Sequence, residues 1–336
     1  MILLNNKRSI VTDLALEGRE IFNELKKEVI QELREPPGVE FEEAGTQDIK
    51  ITRVRVVSPE GETSIGKPIG NYITLEVQGL RQNDQQIFED TCKALGSELV
   101  PILNLNEKST ILVIGLGNWN VTADALGPKV VSSMLVTRHL FEFVPEQIDQ
   151  GVRSVCAISP GVLGITGIET GEIVRGIVDR IHPNIIIAID ALASRRMDRV
   201  NTTIQIADTG ITPGSGVGNK RMELSRKTLG APVIAIGVPT VVDAATMAND
   251  AIDLVIDSMV QQAEQGTEFY NMLANIDKED KYRLIQEVLN PYIGNLIVTP
   301  KEIDELMERT SKVIANGLNI ALHQGITLQD VNRYIH

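Results

Sequence analysis

The sequence predicts an α/β protein built on a largely parallel sheet with helices on both faces. Three observations carry that expectation. Short β-branched runs bounded by Gly, Pro or Asp recur along the chain. Helical stretches alternate with them, the pattern that feeds parallel strands through crossover connections. One of the runs, Ile185-Ile-Ile-Ala-Ile, is apolar without alternation, as expected of a strand covered on both faces.

In chain order, the first hundred residues suggest an elaboration on this core. A charged helix is expected near Leu16–Leu33, strands at Ile49–Val57 and Asn71–Val77, and a helix near Asp84–Leu99. The core strands are Thr110–Gly115, Ser154–Ile158, Asn184–Asp190, Thr203–Ala207 and Val233–Gly237. Between them, Pro128–Leu140 opens with Pro in a first-turn position, Glu169–Ile181 follows, and a longer helix is expected around Ala244–Gln265. Lys281–Leu289 and Lys301–Leu322 read as further helix, and no Pro/Gly/Ser-rich linker separates them from the rest. The organisation expected is one α/β domain with N- and C-terminal additions.

Composition removes several function classes. The 336 residues are 43% hydrophobic and 23% charged, ordinary for a folded chain with a large core. The formal net charge is −13 with no basic run, so direct nucleic-acid binding is not expected. No apolar stretch reaches the 18 residues of a membrane span, and the short apolar run at the N-terminus precedes Lys7 and Arg8, the reverse of a secretory signal. Cys92 and Cys156 form no Cys-x-x-Cys pair, which fits a reducing cytoplasm.

Two segments can carry chemistry. Val113-Ile-Gly-Leu-Gly-Asn-Trp-Asn-Val-Thr-Ala-Asp-Ala-Leu-Gly-Pro128 runs from a strand through a Gly/Asn-rich turn into a helix. It lacks the third Gly of a dinucleotide fingerprint and is no P-loop. Asp124 lies there as a helix cap or as a crevice carboxylate. In Ile185-Ile-Ile-Ala-Ile-Asp-Ala-Leu-Ala-Ser-Arg195 an apolar strand ends in Asp190, on the edge where open α/β sheets bind their ligands. Two carboxylates in a partly desolvated crevice hold one proton between them. One can then take a proton from water while the other donates to a scissile carbonyl oxygen, without a covalent intermediate. The four histidines form no His-Glu-x-x-His pair, and neither cysteine sits in a nucleophile motif. No cofactor or metal is expected.

On Thr12-Asp-Leu-Ala-Leu-Glu17, the two segments just described, Gly237-Val-Pro-Thr-Val-Val-Asp243 and Val298-Thr-Pro-Lys-Glu-Ile-Asp304, the whole chain resembles the germination protease family of endospore-forming bacteria. The resemblance implies a fold similar to that of the hydrogenase maturation peptidases and an atypical aspartic endopeptidase with Asp124 and Asp190 as catalytic pair. It also implies small acid-soluble spore proteins as substrate, a homotetramer, and residence in the cytoplasm of the forespore and spore core. Thr12-Asp-Leu-Ala-Leu-Glu17 is similar to the family's cleavage pattern, which makes residues 1–13 a propeptide, residues 14–336 the peptidase, and Asp13-Leu14 the bond cut in self-processing. Arg195 and Arg196 could supply a basic subsite for the acidic residue before the cut. Lys7 and Arg8 could hold the site blocked. An alternative from another class is a maturation or binding protein on the same sheet, its crevice carboxylates coordinating a metal. Lacking a nearby His, such a site would be all-oxygen, which suits nickel and zinc poorly.

Overall fold

A computed structural model describes residues 12–27, 36–215, 221–264, 266–274, 276, 280–281, 283–285, 287–288 and 296–334. Lys7, Arg8 and part of the expected Lys281–Leu289 helix lie outside them. The chain forms an α/β structure around one mixed sheet. Its strands are β1 (Val39–Gly45), β2 (Lys50–Val56), β3 (Gly70–Glu76), β4 (Thr110–Gly115), β5 (Ser154–Ile158), β6 (Ile185–Ser194), β7 (Thr203–Ala207), β8 (Val233–Asp243) and β9 (Ile297–Val298). They lie in the order β1-β2-β3-β7-β8-β6-β4-β5, with β9 added to the end of β8.

The half formed by β8, β6, β4 and β5 is parallel, as the alternating pattern predicts. Ile111 and Val113 face one side of the sheet with Ile185 and Ile187, under helices α3 (Gln85–Leu103), α4 (Leu126–Ser132) and α7 (Ile303–Leu322). Leu112 and Ile114 face the other side with Ile186 and Ala188, under Val174 and Val178 of α5 (Thr170–Ile181). Both faces are thereby covered, and this is why β6 carries no polar alternation.

From β7 outward the sheet is antiparallel. No helix crossover separates β6 from β7; a single 3₁₀ turn at Met197–Arg199 joins them. So short a return cannot place β7 parallel to its neighbours. β1, β2 and β3 extend the sheet from β7, and α1 (Ala15–Lys27) and α2 (Pro59–Ile65) lie with this part. Val39, Val54, Val56, Ile65 and Tyr72 pack there around Ala15. β1, Val-Glu-Phe-Glu-Glu-Ala-Gly, is a strand the sequence pattern did not indicate. It is an edge strand whose charged side chains pair across to β2, Glu42 with Arg53 and Glu40 with Arg55.

Three expected elements differ in extent. β6 and β8 both run past their expected ends, to Ser194 and Asp243, with a register shift between Leu192 and Ala193 that accommodates Pro239 of β8. The helix expected over Pro128–Leu140 is two, α4 and a second short helix at Arg138–Phe143. Between them the Leu135 N–H leaves the helix ladder and donates to Asn319 Oδ1 of α7. α6 (Ala244–Gln262) starts at Asp243, whose carboxylate accepts the Thr246 N–H. Among the described residues, no helix is long and apolar enough to cross a membrane.

Candidate active site

From β4 the chain passes to β5 on one side, then returns to β6 on the other, so a crevice opens between the carboxyl ends of β4 and β6. The last β4–β6 pair is Gly115 with Ile189. Asp190 is the next residue of β6, the first without β4 beside it. It is 6% exposed, and the Ala191 N–H donates to its Oδ1 at 3.0 Å.

Asp124 is brought to the same place by the loop after β4. Its own N–H donates to Val121 O, and Asn118 N–H reaches both its main-chain carbonyl at 3.1 Å and its Oδ2 at 2.8 Å. Gly117 is at φ +110°, and a Cβ there would lie 2.0 Å from Asp124 O, so the tight return that places this carboxylate requires glycine. From β8, Thr240 Oγ1 donates to Ala123 O at 2.6 Å and ties the loop to the sheet. Asp124 is thus a crevice carboxylate in a 3₁₀ turn rather than a cap of α4.

Asp124 and Asp190 line one cavity of about 310 Å³. Burial pushes the Asp190 carboxyl well above the ordinary range, and the charges of Asp124 and Asp13 push it further, against the single N–H of Ala191. Burial also raises Asp124, countered by the Asn118 N–H. Both carboxyls are thus raised, and the pair retains a proton at pH values where an ordinary aspartate has lost it.

The chain's own N-terminal segment occupies this crevice. Asp13 N–H donates to Ala193 O at 3.0 Å, and Ala193 N–H returns a bond to Asp13 Oδ2 at 3.0 Å. Ser215 Oγ, in the connection after β7, donates to Asp13 Oδ1 at 3.0 Å. Leu14 and Ala15 are fully buried. Glu17, 1% exposed, accepts from Thr12 Oγ1, from Arg195 N–H at 2.8 Å and from Arg196 N–H at 3.3 Å, and pairs with the buried Arg199 at 3.1 Å. Arg195 and Arg196 are thus at the segment, but through their backbone and at Glu17. Their guanidinium groups meet Asp250 and Asp198. The groups that meet the Asp13 carboxylate among the described residues are Ala193 N–H and Ser215.

Val162 and Leu163, in the connection after β5, and Thr212 to Ser215, in the connection after β7, also line the cavity. Arg199, Ser215, Thr240 and the backbone of Ala193 were not singled out from sequence. Thr240 falls in the Gly237–Asp243 segment singled out above, but only the fold reveals that its side chain turns toward the loop of Asp124. Among the described residues no group of three or more His, Cys, Asp or Glu side chains is placed to hold a metal ion.

Fold and site together define an α/β crevice enzyme whose polar centre is a coupled pair of carboxylates, a centre suited to proton transfer. Comparison with known proteins makes the class specific. The model of the germination protease family matches residues 15–267 and 256–335. The germination protease of Clostridium tetani is 55% identical over 328 residues, covering 98% of this chain and all of that protein. That of Caldanaerobacter subterraneus subsp. tengcongensis is 52% identical, over 97% of this chain and 98% of its own. That of Bacillus cereus is 44% identical, over 98% of each. The chain belongs to the germination protease family and is accordingly a peptidase.

Proposed function

We propose that this chain is the zymogen of an aspartic endopeptidase that removes its own residues 1–13 and then degrades small acid-soluble spore proteins. Asp124 and Asp190 are its catalytic pair. The observation that carries this reading is the convergence of two carboxylates from separate strands in one crevice, with the Asp13–Glu17 segment laid across it. Asp124, the better solvated of the two, takes the proton of an attacking water. Asp190 holds its proton in the ground state and gives it to the bond being broken. After one turnover the proton has changed sides, and exchange with solvent resets the pair.

The docked segment supports the substrate class as well. It is fixed by its acidic residues, Asp13 ahead of the bond and Glu17 four positions after Asp13, while Leu14 and Ala15 fill closed space between them. A substrate with the same acidic, apolar, Ala, x, Glu order meets the same partners. The homotetramer implied by the resemblance would cover apolar side chains that α6 exposes, Leu254 and Val255 among them. The compartment proposed is the cytoplasm of the forespore and spore core.

The test is cleavage of a purified small acid-soluble spore protein by acid-matured enzyme, with and without chelator, beside Asp124→Asn and Asp190→Asn chains. Each Asn keeps the size of the side chain and removes its proton transfer, so turnover should fall by about 10²- to 10⁴-fold. It should be unchanged by chelation. Near-wild-type turnover of either folded variant, or a chelator loss restored by zinc or nickel, overturns the reading.

A further inference from the structure

The main-chain carbonyl of Asp13 is met from a second recess, lined by Lys67, Gln205 and Tyr72 among others. Lys67 Nζ donates to Asp13 O at 2.8 Å, and Gln205 Nε2 donates to it at 3.2 Å. We infer that Lys67 and Gln205 are further catalytic residues, an oxyanion clamp that holds the carbonyl oxygen of the Asp13-Leu14 bond and receives its charge as that bond is cut. This rests on the self-processing reading proposed above.

The arrangement is built, not incidental. Gly66 caps α2 in the left-handed conformation (φ 68°) and turns the chain toward the segment. Tyr72 OH donates to Pro68 O at 2.8 Å and fixes the short loop that carries Lys67. The Lys67 side chain is half-buried, and a lysine so placed ordinarily seeks a carboxylate. The two nearest in charge, Asp13 and Glu17, are engaged by other donors: Ala193 N–H and Ser215 for the first, Arg199 and two backbone N–H groups for the second. The ammonium is directed at main-chain oxygens, Asp13 O at 2.8 Å and Thr12 O at 3.5 Å.

Gln205 is fixed just as firmly. Its Oε1 accepts the Ala15 N–H at 2.7 Å, which leaves its Nε2 to donate to Asp13 O. One side chain therefore bridges both sides of Leu14 and holds the peptide planes that flank it. β7 supplies the rigid base, since Gln205 pairs with Thr74 of β3 and Gly237 of β8.

Donors about 2.7–3.1 Å from the place where the oxyanion forms stabilise a tetrahedral intermediate; in the ground state Lys67 Nζ lies at 2.8 Å from the carbonyl oxygen and Gln205 Nε2, at 3.2 Å, just beyond that range. The step balances with groups already present. Water adds to the Asp13 carbonyl carbon and its proton passes to the Asp124 carboxylate. The C=O pair moves onto oxygen, where the Lys67 ammonium and Gln205 amide hold it. When the C=O re-forms, the C–N bond breaks and the Leu14 nitrogen takes the proton held by Asp190. The clamp frees Asp190 from protonating the oxygen, so the same proton serves the departing amine.

The experiment follows self-cleavage of the full chain by intact mass in a single turnover, for wild type, Lys67→Met, Lys67→Arg, Gln205→Glu and Asp190→Asn. Hydrogen exchange at the Asp13 and Ala15 amides is read in parallel as a measure of docking. Gln205→Glu keeps the acceptor for Ala15 N–H and loses the donor to Asp13 O, so it separates chemistry from seating. The expected results are a loss of about 10²- to 10³-fold in Lys67→Met, a smaller loss in Lys67→Arg, a clear loss in Gln205→Glu, and unchanged amide protection. Cleavage of Lys67→Met or Gln205→Glu at near the wild-type rate overturns the clamp. So does a loss of rate matched by lost protection, which would make these residues seats for the segment and nothing more. Wild-type cleavage by Asp190→Asn would sink the dyad alone, because the Lys67 and Gln205 comparisons stand without it.

Discussion

Arg199 offers a quantitative test of how the N-terminal segment is held. It is 4% exposed, and its guanidinium reaches three carboxylates: Glu17 at 3.1 Å, Glu20 at 2.6 Å and Glu76 at 3.2 Å. In Arg199→Met the stem is replaced and the charge lost, so the buried Glu17 loses its cation. Removing one partner of a buried pair costs about 3–5 kcal/mol, because the other charge stays desolvated. Glu17 keeps Thr12 Oγ1 and the N–H groups of Arg195 and Arg196, which places the cost near the lower end, about 3 kcal/mol. Glu17→Gln should cost less, about 1–2 kcal/mol, since Arg199 retains Glu20 and Glu76. The double variant should cost less than the two singles together, because it buries no orphaned charge. Urea unfolding of the four chains supplies the cycle, and the Arg199→Met chain should also expose the Asp13–Glu17 amides to exchange. A loss below about 1 kcal/mol for Arg199→Met, or simple additivity in the double variant, would refute the claim that this network holds the segment down.

Other consequences follow from the site and its surroundings. His323 is fully buried, accepts the Arg153 N–H on Nδ1 at 3.2 Å, and is pushed by burial down to about 4. The unfolded chain binds this proton below about pH 6.5 and the folded chain only below about 4. Stability present above pH 6.5 is therefore lost as pH falls through that window, by about 2 kcal/mol between pH 7.5 and 5. Urea midpoints should drop less over this range in His323→Gln, and an equal drop would contradict the assignment. Gly117→Ala puts a methyl group against Asp124 O and must displace the loop. Misplacement of a reacting group by about 1 Å can cost about 100-fold, so self-cleavage should slow on that order while the sheet stays folded by circular dichroism. A wild-type rate would mean that the loop does not set the geometry of Asp124.

β4 and β6 were legible in the sequence because they are buried on both faces, and Thr110–Gly115 has the expected bounds for that reason. Ser154–Ile158, half-buried at the edge of the sheet, has the expected bounds through its β-branched run. β1 was not legible, because its alternation of Val39 and Phe41 with Glu40 and Glu42 covers only four residues of an edge strand whose acidic side chains pair across to β2. The ends of β6 and β8 were hidden by Asp190 and by Pro239, residues that ordinarily stop a strand but here sit at the crevice and at a bulge. Asp124 and Asp190 could be nominated because each follows a strand that must end at the same sheet edge. Lys67, Gln205 and Arg199 could not. Lys67 lies in a loop, Gln205 in the middle of a strand and Arg199 in a turn, and each gains meaning only when the Thr12–Glu17 segment is laid over it from far along the chain.

The most direct test of the account is a pH series of single-turnover self-cleavage for wild type, Asp124→Asn and Asp190→Asn, with the new terminus sequenced at each point. The raised Asp190 carboxyl and its coupling to Asp124 require a working state with one proton on the pair. Wild-type cleavage should accelerate as pH falls below neutral, yield Leu14 as the new N-terminus, and be lost in both variants. Cleavage that persists in either variant at the wild-type rate, or a terminus at another bond, would contradict the central claim that these two aspartates cut the chain between Asp13 and Leu14.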